Sequence, residues 1–337
     1  MGILIYNRYR HILMIQKDGI MKKRRVFVPV ILVILILGCV GIGVFCLTQR
    51  DRNKADRQNE SREKVLAYPQ EVDERGIAID MRDNPFFCEK QDGYSYPKAE
   101  TIEYYSHVTD TMRHASVILP ANYEEGQRYP VLYLLHGLGG SHRTWLNKDA
   151  DVIISNLIYF YDTAPMIIVL PNSEVNEKEN ADDLELDEKA AVYDKTEEDL
   201  MQCLKPYIEE HFPVRTGREN TAIAGNSMGG RNTMNVAFHH PDQFGYVGVF
   251  SCASVLDNPA GPSFHPLVKE EELAGKEFEV FMLMVGKQDD VCGWVTYDLH
   301  ERLEKHGVEH IFYEVEGGHN TYVWQNAIYN FCRRIFR

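Results

Sequence analysis

Basic residues are scarce in this chain: 36 Lys and Arg face 50 Asp and Glu among 337 residues, a formal charge of −14. A surface of that sign repels phosphate backbones, which excludes nucleic acid as a partner. Cysteine is also sparse, with seven in all. Cys39 and Cys46 fall in an apolar run, and the other five, Cys88, Cys203, Cys252, Cys292 and Cys332, are widely spaced with no C-x-x-C. That excludes a disulfide framework and a cysteine-based zinc site. It leaves buried thiols acting as small hydrophobes, with room for one bridge at most. No internal repeat and no second linker interrupt the chain beyond residue 85, so a repeat array is excluded and one domain of about 250 residues is the simplest division.

Charge is absent altogether from Val26–Leu47, the 22 residues "VFVPVILVILILGCVGIGVFCL". About 20 apolar residues suffice to cross a bilayer as a helix, so 26–47 reads as a transmembrane or signal-anchor segment. Residues 1–25 carry seven Lys or Arg against one Asp, which keeps this basic N-terminus cytoplasmic by the positive-inside rule. The remainder is then extracellular, on a single-pass protein of the cell membrane. No A-x-A follows the run, yet a cleaved signal and secretion stay open, as does a lipoprotein, because "ILGC" at Ile36–Cys39 faintly resembles its acceptor box. Residues 48–84, polar and mixed in charge, read as a linker with too little apolar surface to fold alone. The main domain is 85–337.

In that domain, strand patterns such as "YPVLYLLHG", "MIIVLPN", "NTAIAGNS", "YVGVFSC", "FEVFMLMVG" and "HIFYEVEGG" alternate with helical ones. "ETIEYYSHV" and "RHASVILP" read as antiparallel opening strands. The expected fold class is α/β, a mostly parallel sheet covered by helices on both faces, with its site outside the strands' carboxyl ends. One feature stands apart from this alternation. Residues 173–199 hold twelve acidic and three basic side chains, between a strand end and a helix, and read as a solvated insertion or else a lid.

Ser227 lies in "AGNSMGG", where Gly225 and Gly229 complete G-x-S-x-G between an apolar strand and a helix. Such a sharp turn pushes the serine hydroxyl out at the sheet edge and aims the next amide, that of Met228, at a developing oxyanion. A nucleophilic serine needs a base and an acid, each after a later strand. "GKQDD" supplies Asp289, with Asp290 as the neighbouring alternative and helix N-capping as the competing role for either. "EGGHN" supplies His319, the one histidine that follows the acid in a glycine loop at a strand end. "LLHGLGGSH" supplies a second amide, at Leu138, with His136 shaping the loop. Trp145, Trp294 and Trp324 are candidates to stack on an aryl acid or a sugar, or else core residues.

"YPVLYLLHGLGGS", "GNSMGG", "HHPDQFGYVGVFS" and "GGHNTYVWQNAIYNF" together resemble the esterase D-like α/β-hydrolases, and within them the feruloyl and acetylxylan carbohydrate esterases, over about residues 100–331. Asn226 departs from the pattern, standing where a larger apolar residue is common. The resemblance implies an α/β-hydrolase fold and a serine carboxylic ester hydrolase acting on feruloyl or acetyl esters derived from polysaccharide. It implies Ser227 as nucleophile, His319 as base, Asp289 as acid, an oxyanion hole from the Leu138 and Met228 amides, and neither metal nor cofactor. The partner it implies is a small-molecule or oligosaccharide ester, to which the apolar N-terminal segment adds the membrane. An acyltransferase acting on cell-envelope components and a catalytically inactive surface-binding protein are the other readings. The sequence does not fix an oligomeric state.

Overall fold

The computed structural model describes residues 46–81, 84, 86–257 and 264–337. The chain divides into two compact units, Met1–Ser61 and Arg62–Arg337. Residues 46–67 (α1) are helical, so the boundary falls inside a helix. The expected cytoplasmic segment at 1–25 and the span at 26–47 lie outside the described residues, apart from the span's last two positions. Among the described residues no helix is long and apolar enough to cross a membrane.

In the larger unit, Glu71–Val72 (β1) and Ala78–Asp80 (β2) pair as a small antiparallel ribbon. An eight-stranded sheet follows among the described residues. Its strands are Glu100–Ser106 (β3), Thr111–Ile118 (β4), Val131–Leu135 (β5), Ile167–Pro171 (β6), Thr221–Asn226 (β7), Tyr246–Phe250 (β8), Val280–Gly286 (β9) and Ile311–Val315 (β10). Their order across the sheet is β3-β4-β6-β5-β7-β8-β9-β10. Strand β4 runs antiparallel to both β3 and β6, and every other pairing is parallel. The helices are Ala150–Phe160 (α2), Leu186–Asp194 (α3), Thr196–Asp199 (α4), Lys205–His211 (α5), Met228–His239 (α6), Gly293–Lys305 (α7) and Thr321–Cys332 (α8).

The unbroken apolar runs of β5 and β6 are buried at every position, because helices cover both faces of these strands. Alternate residues feed opposite layers. Tyr133 and Leu135 pack with Met234 and Phe238 of α6 and Leu299 of α7, whereas Leu132 and Leu134 pack with Ile153 and Leu157 of α2 and Ile328 of α8. The register then sets the loops side by side. Leu135 lies opposite Gly225, Asn226 opposite Phe250, and Val315 opposite Gly286. The loops after β5, β7, β9 and β10 therefore leave one edge of the sheet together.

Two expectations need correction. The 48–84 stretch is no featureless linker: α1 occupies much of it, and Ile77, Ala78 and Met81 are buried in the core layer shared by α2 and α8. Asn330 Oδ1 accepts the Ala78 amide at 2.9 Å. Three apolar residues were too short a run to outweigh their polar surroundings, yet they find a ready face on α8. The 173–199 stretch is not simply solvated either. Its start, from Ser173 to Val175, is buried, and α3 and α4 follow, the first opened by a capping box between Glu185 and Glu188. Two buried arginines from outside the stretch hold it. Arg113 pairs with Asp199 at 3.3 Å and donates to the Asn172 and Glu174 carbonyls at 2.6 and 3.1 Å. Arg231 pairs with Asp194 and donates to the Ser254 and His265 carbonyls at 2.7 and 2.8 Å.

Candidate active site

Ser227 sits between β7 and α6 with φ 56° and ψ −121°, a backbone conformation that side chains rarely adopt. Such a residue costs about 1–3 kcal/mol and persists only where its surroundings enforce it. Here the Ser227 amide donates to the Phe250 carbonyl at 3.0 Å, and its own carbonyl accepts the Arg231 and Ala253 amides, both at 3.1 Å. The turn also needs its glycines. A Cβ on Gly225 would lie 2.5 Å from the Gly229 carbonyl oxygen, and one on Gly229 would lie 2.4 Å from that of Leu135.

His319 follows β10, ahead of Asn320, which caps α8 by accepting the Val323 amide at 3.3 Å. Its Nε2 stands 3.0 Å from Ser227 Oγ and its Nδ1 2.9 Å from Asp289 Oδ2. The other oxygen of Asp289, Oδ1, accepts the Val291 and Cys292 amides at 3.0 and 2.8 Å. The N-cap of α7 is Cys292, so Asp289 does not cap that helix and its Oδ1 instead closes the turn before it. Its side chain is fully removed from solvent. Burial alone would raise its pKa, but hydrogen bonds from His319 and the Cys292 amide, with the attraction of the His319 ring, outweigh burial and hold it below the ordinary carboxylate range. Asp290, its neighbour, is exposed.

Leu138, Met228 and Ser227 share the wall of one pocket of about 180 Å³, completed by Leu186, Ala253, Ser254, Phe264, Val291, Cys292, Trp294 and Val295. Gly137 lies so close that a Cβ there would sit 3.1 Å from that of Ser227, which brings the loop after β5 onto the Ser227 turn. The Leu138 and Met228 amides donate to no other group among the described residues. His136 is buried and does shape this loop. Its Nε2 accepts the Ser173 amide at 2.9 Å, which places the ring hydrogen on Nδ1, 2.8 Å from the Gly137 carbonyl. Burial lowers its pKa to about 4, so the ring is neutral at pH 7.

The three tryptophans divide. Trp145 is core and donates to the Leu135 carbonyl at 2.9 Å, Trp324 and the His319 ring stand nearly perpendicular with centroids 5.1 Å apart, and Trp294 lines the pocket from an exposed position. Among the described cysteines all are unpaired. Leu186 and Phe264 in the pocket wall, and Tyr193 behind the Gly137 loop, were not singled out by the sequence. Leu186, Ala190 and Tyr193 recur at helical spacing and were the available signal, hidden among acids.

Comparison with known proteins agrees with this architecture. The profile of the family described as "Putative esterase" matches residues 106–335. An endo-1,4-beta-xylanase/feruloyl esterase of Xylanibacter ruminicola is 31% identical over 184 residues, which are 53% of this chain and 24% of that protein; the chain thus spans about a quarter of this relative's length. An acetyl esterase of Caldicellulosiruptor saccharolyticus is 23% identical over 61% of this chain and 83% of its own. A solved structure of a CE1 ferulic acid esterase from Anaeromyces mucronatus, in complex with ferulic acid, is 35% identical with a TM-score of 0.70 and covers 77% of this chain and 97% of its own. The chain belongs to the esterase family, carboxylic ester hydrolases built here on the α/β-hydrolase fold.

Proposed function

We propose that this chain is a serine esterase that removes feruloyl groups from polysaccharide-derived esters. The observation that carries the reading is the hydrogen-bonded series Ser227–His319–Asp289 opening into a mainly apolar pocket. An acetyl group would leave most of that apolar wall in water, whereas an aromatic acyl group covers it, and burial is favourable at about 25 cal/mol per Å². The similarity to the xylanase/feruloyl esterase and to the solved ferulic acid esterase supports the same choice.

In this mechanism Ser227 Oγ attacks the ester carbonyl as His319 Nε2 takes its proton. Asp289 holds the ring and stabilises its charged form. The carbonyl oxygen, now anionic, is met by the Leu138 and Met228 amides, the second at the start of α6, where the helix dipole adds to its effect. His319 returns the proton to the departing alcohol oxygen, leaving the acyl group on Ser227. Water then repeats the sequence, giving up a proton to His319, and the free acid leaves.

The test is turnover of methyl ferulate, acetylated xylan and p-nitrophenyl acetate by the wild type and by Ser227→Ala. The expected result is release of free acid, fastest from ferulate, and none above background from the folded variant. Retained turnover by Ser227→Ala overturns the assignment, and transfer of the acyl group to an added sugar in place of release makes the protein an acyltransferase. The proposed location, tethered at the cell membrane through 26–47 with the esterase domain outside, is tested by protease shaving of intact cells. Release of the domain supports it, and cleavage only after lysis overturns it.

A further inference from the structure

Behind the Gly137 loop lies a group the mechanism above does not use. The Tyr193 phenol, on α3 of the acidic stretch, is wholly buried and stands 3.0 Å from the Gly137 carbonyl oxygen. The same carbonyl accepts His136 Nδ1 at 2.8 Å and the Gly140 amide at 3.2 Å. That carbonyl and the Leu138 N–H belong to one peptide plane. A trans peptide is rigid and its C=O and N–H point in opposite directions, so whatever fixes the Gly137 oxygen fixes the aim of the Leu138 hydrogen. Donors on the carbonyl also polarise the peptide and make its N–H a stronger donor. The glycines that let this loop approach Ser227 leave it little stiffness of its own, so the aim has to be imposed from behind.

We infer that the Tyr193 hydroxyl, together with His136, is a positioning group for the oxyanion hole: it clamps the Gly137–Leu138 peptide so that the Leu138 amide faces the reacting carbonyl. The phenol has one hydrogen and two acceptors in reach, Gly137 O and Glu174 Oε1, each at 3.0 Å. Glu174 is buried, with its other oxygen accepting the Ala181 amide at 3.0 Å. The phenol thus bridges the Gly137 carbonyl and the Glu174 carboxyl, and Glu174, itself anchored by the Ala181 amide, holds the phenol against the Gly137 loop. The acidic stretch therefore contributes to the chemistry as well as to the pocket wall.

This inference rests on the proposed esterase reading, and the test separates the two. Wild-type protein is first treated with a fluorophosphonate; failure to label Ser227 counts against the esterase reading itself. Tyr193→Phe keeps the ring, which packs edge-on against His136 with centroids 5.9 Å apart, and removes only the hydroxyl. Losing an oxyanion donor outright costs about 10²- to 10³-fold in rate; a donor that is misaimed but present should cost about tenfold. The expected result is a kcat for p-nitrophenyl acetate about tenfold lower with KM changed less than twofold. The affinity for a boronic acid, whose tetrahedral adduct places an oxygen in the hole, should fall in parallel, while that for free ferulate stays constant. An unchanged kcat, or a loss that appears in KM and ferulate binding but not in boronate affinity, overturns the inference. Should the variant not fold, the structure of the wild-type phosphonate adduct decides. The adduct oxygen is expected within hydrogen-bond distance of the Leu138 and Met228 nitrogens with Tyr193 still on Gly137 O, and a rotated Gly137–Leu138 peptide overturns it.

Discussion

Replacing Asp289 by Asn alters one atom of the proposed site and should nearly abolish it. The two amides that bond Oδ1, from Val291 and Cys292 at 3.0 and 2.8 Å, both donate. An asparagine therefore keeps its carbonyl oxygen there and turns its NH₂ toward His319 Nδ1, where the carboxylate oxygen stood at 2.9 Å. Two donors cannot face each other at that distance, so the ring gives up its Nδ1 hydrogen and carries one on Nε2, 3.0 Å from Ser227 Oγ. A ring in that tautomer cannot accept the serine proton. The same trap in serine proteases lowers kcat by about 10⁴, about 5 kcal/mol of transition-state stabilisation at 1.36 kcal/mol per decade. Asp289→Asn should lose about 10⁴-fold in kcat on p-nitrophenyl acetate, whereas Asp290→Asn, altering an exposed side chain, should stay within twofold. The sign of the pH effect follows from the lowered pKa of Asp289. Its contribution to stability is fully present above the unfolded value near ~4 and is lost as pH falls through the folded one. The stability gap between wild type and Asp289→Asn should therefore narrow below about pH 4 in urea titrations. Retention of more than a tenth of the activity by Asp289→Asn, or a loss carried by Asp290→Asn in its place, would refute the reasoning.

Two further substitutions probe the scaffold. Gly229→Ala sets a Cβ 2.4 Å from the Leu135 carbonyl, a backbone atom with no rotamer to yield; overpacking of this kind costs about 1–3 kcal/mol, and thermal unfolding should show a lowered midpoint together with lost turnover. Arg231→Met leaves the largely covered Asp194 with His265 Nε2, at 3.0 Å, as its remaining side-chain partner. Breaking a buried pair costs about 3–5 kcal/mol, and a change below 1 kcal/mol in urea unfolding would show that His265 suffices.

The parallel strands and the placing of Ser227, Asp289 and His319 just beyond successive strands were legible because each rests on local pattern: apolar runs of the right length, glycines where a turn must be sharp, and a polar residue just beyond a strand. Which of Asp289 and Asp290 faces His319 was not legible, since adjacent carboxylates in one loop differ only in where their side chains turn, and the amides of Val291 and Cys292 orient Asp289 after folding. The burial of Ile77 and Ala78 was hidden for a related reason. A run of three apolar residues carries no periodicity, and the α8 face that receives it is some 250 positions away, as the Ala78–Asn330 hydrogen bond shows.

The acidic stretch shows how a charge count misleads. Twelve acids against three bases within 173–199 describe a segment that repels itself in water. The cations that offset it, Arg113 on β4 and Arg231 on α6, lie outside that window and are wholly buried. Removing those guanidinium groups from water is costly unless every donor finds a partner, and here carbonyls at 2.6 to 3.1 Å share the task with the carboxylates. Arg231 stands on α6, the helix that follows Ser227, and pairs with Asp194, directly beside Tyr193, so the ion pair that seats α3 also brings the phenol to Gly137 and Leu186 to the pocket. The segment's negative charge is thus partly a structural requirement of the site, and breaking the Arg231–Asp194 pair through Arg231→Met should appear in oxyanion affinity as well as in stability.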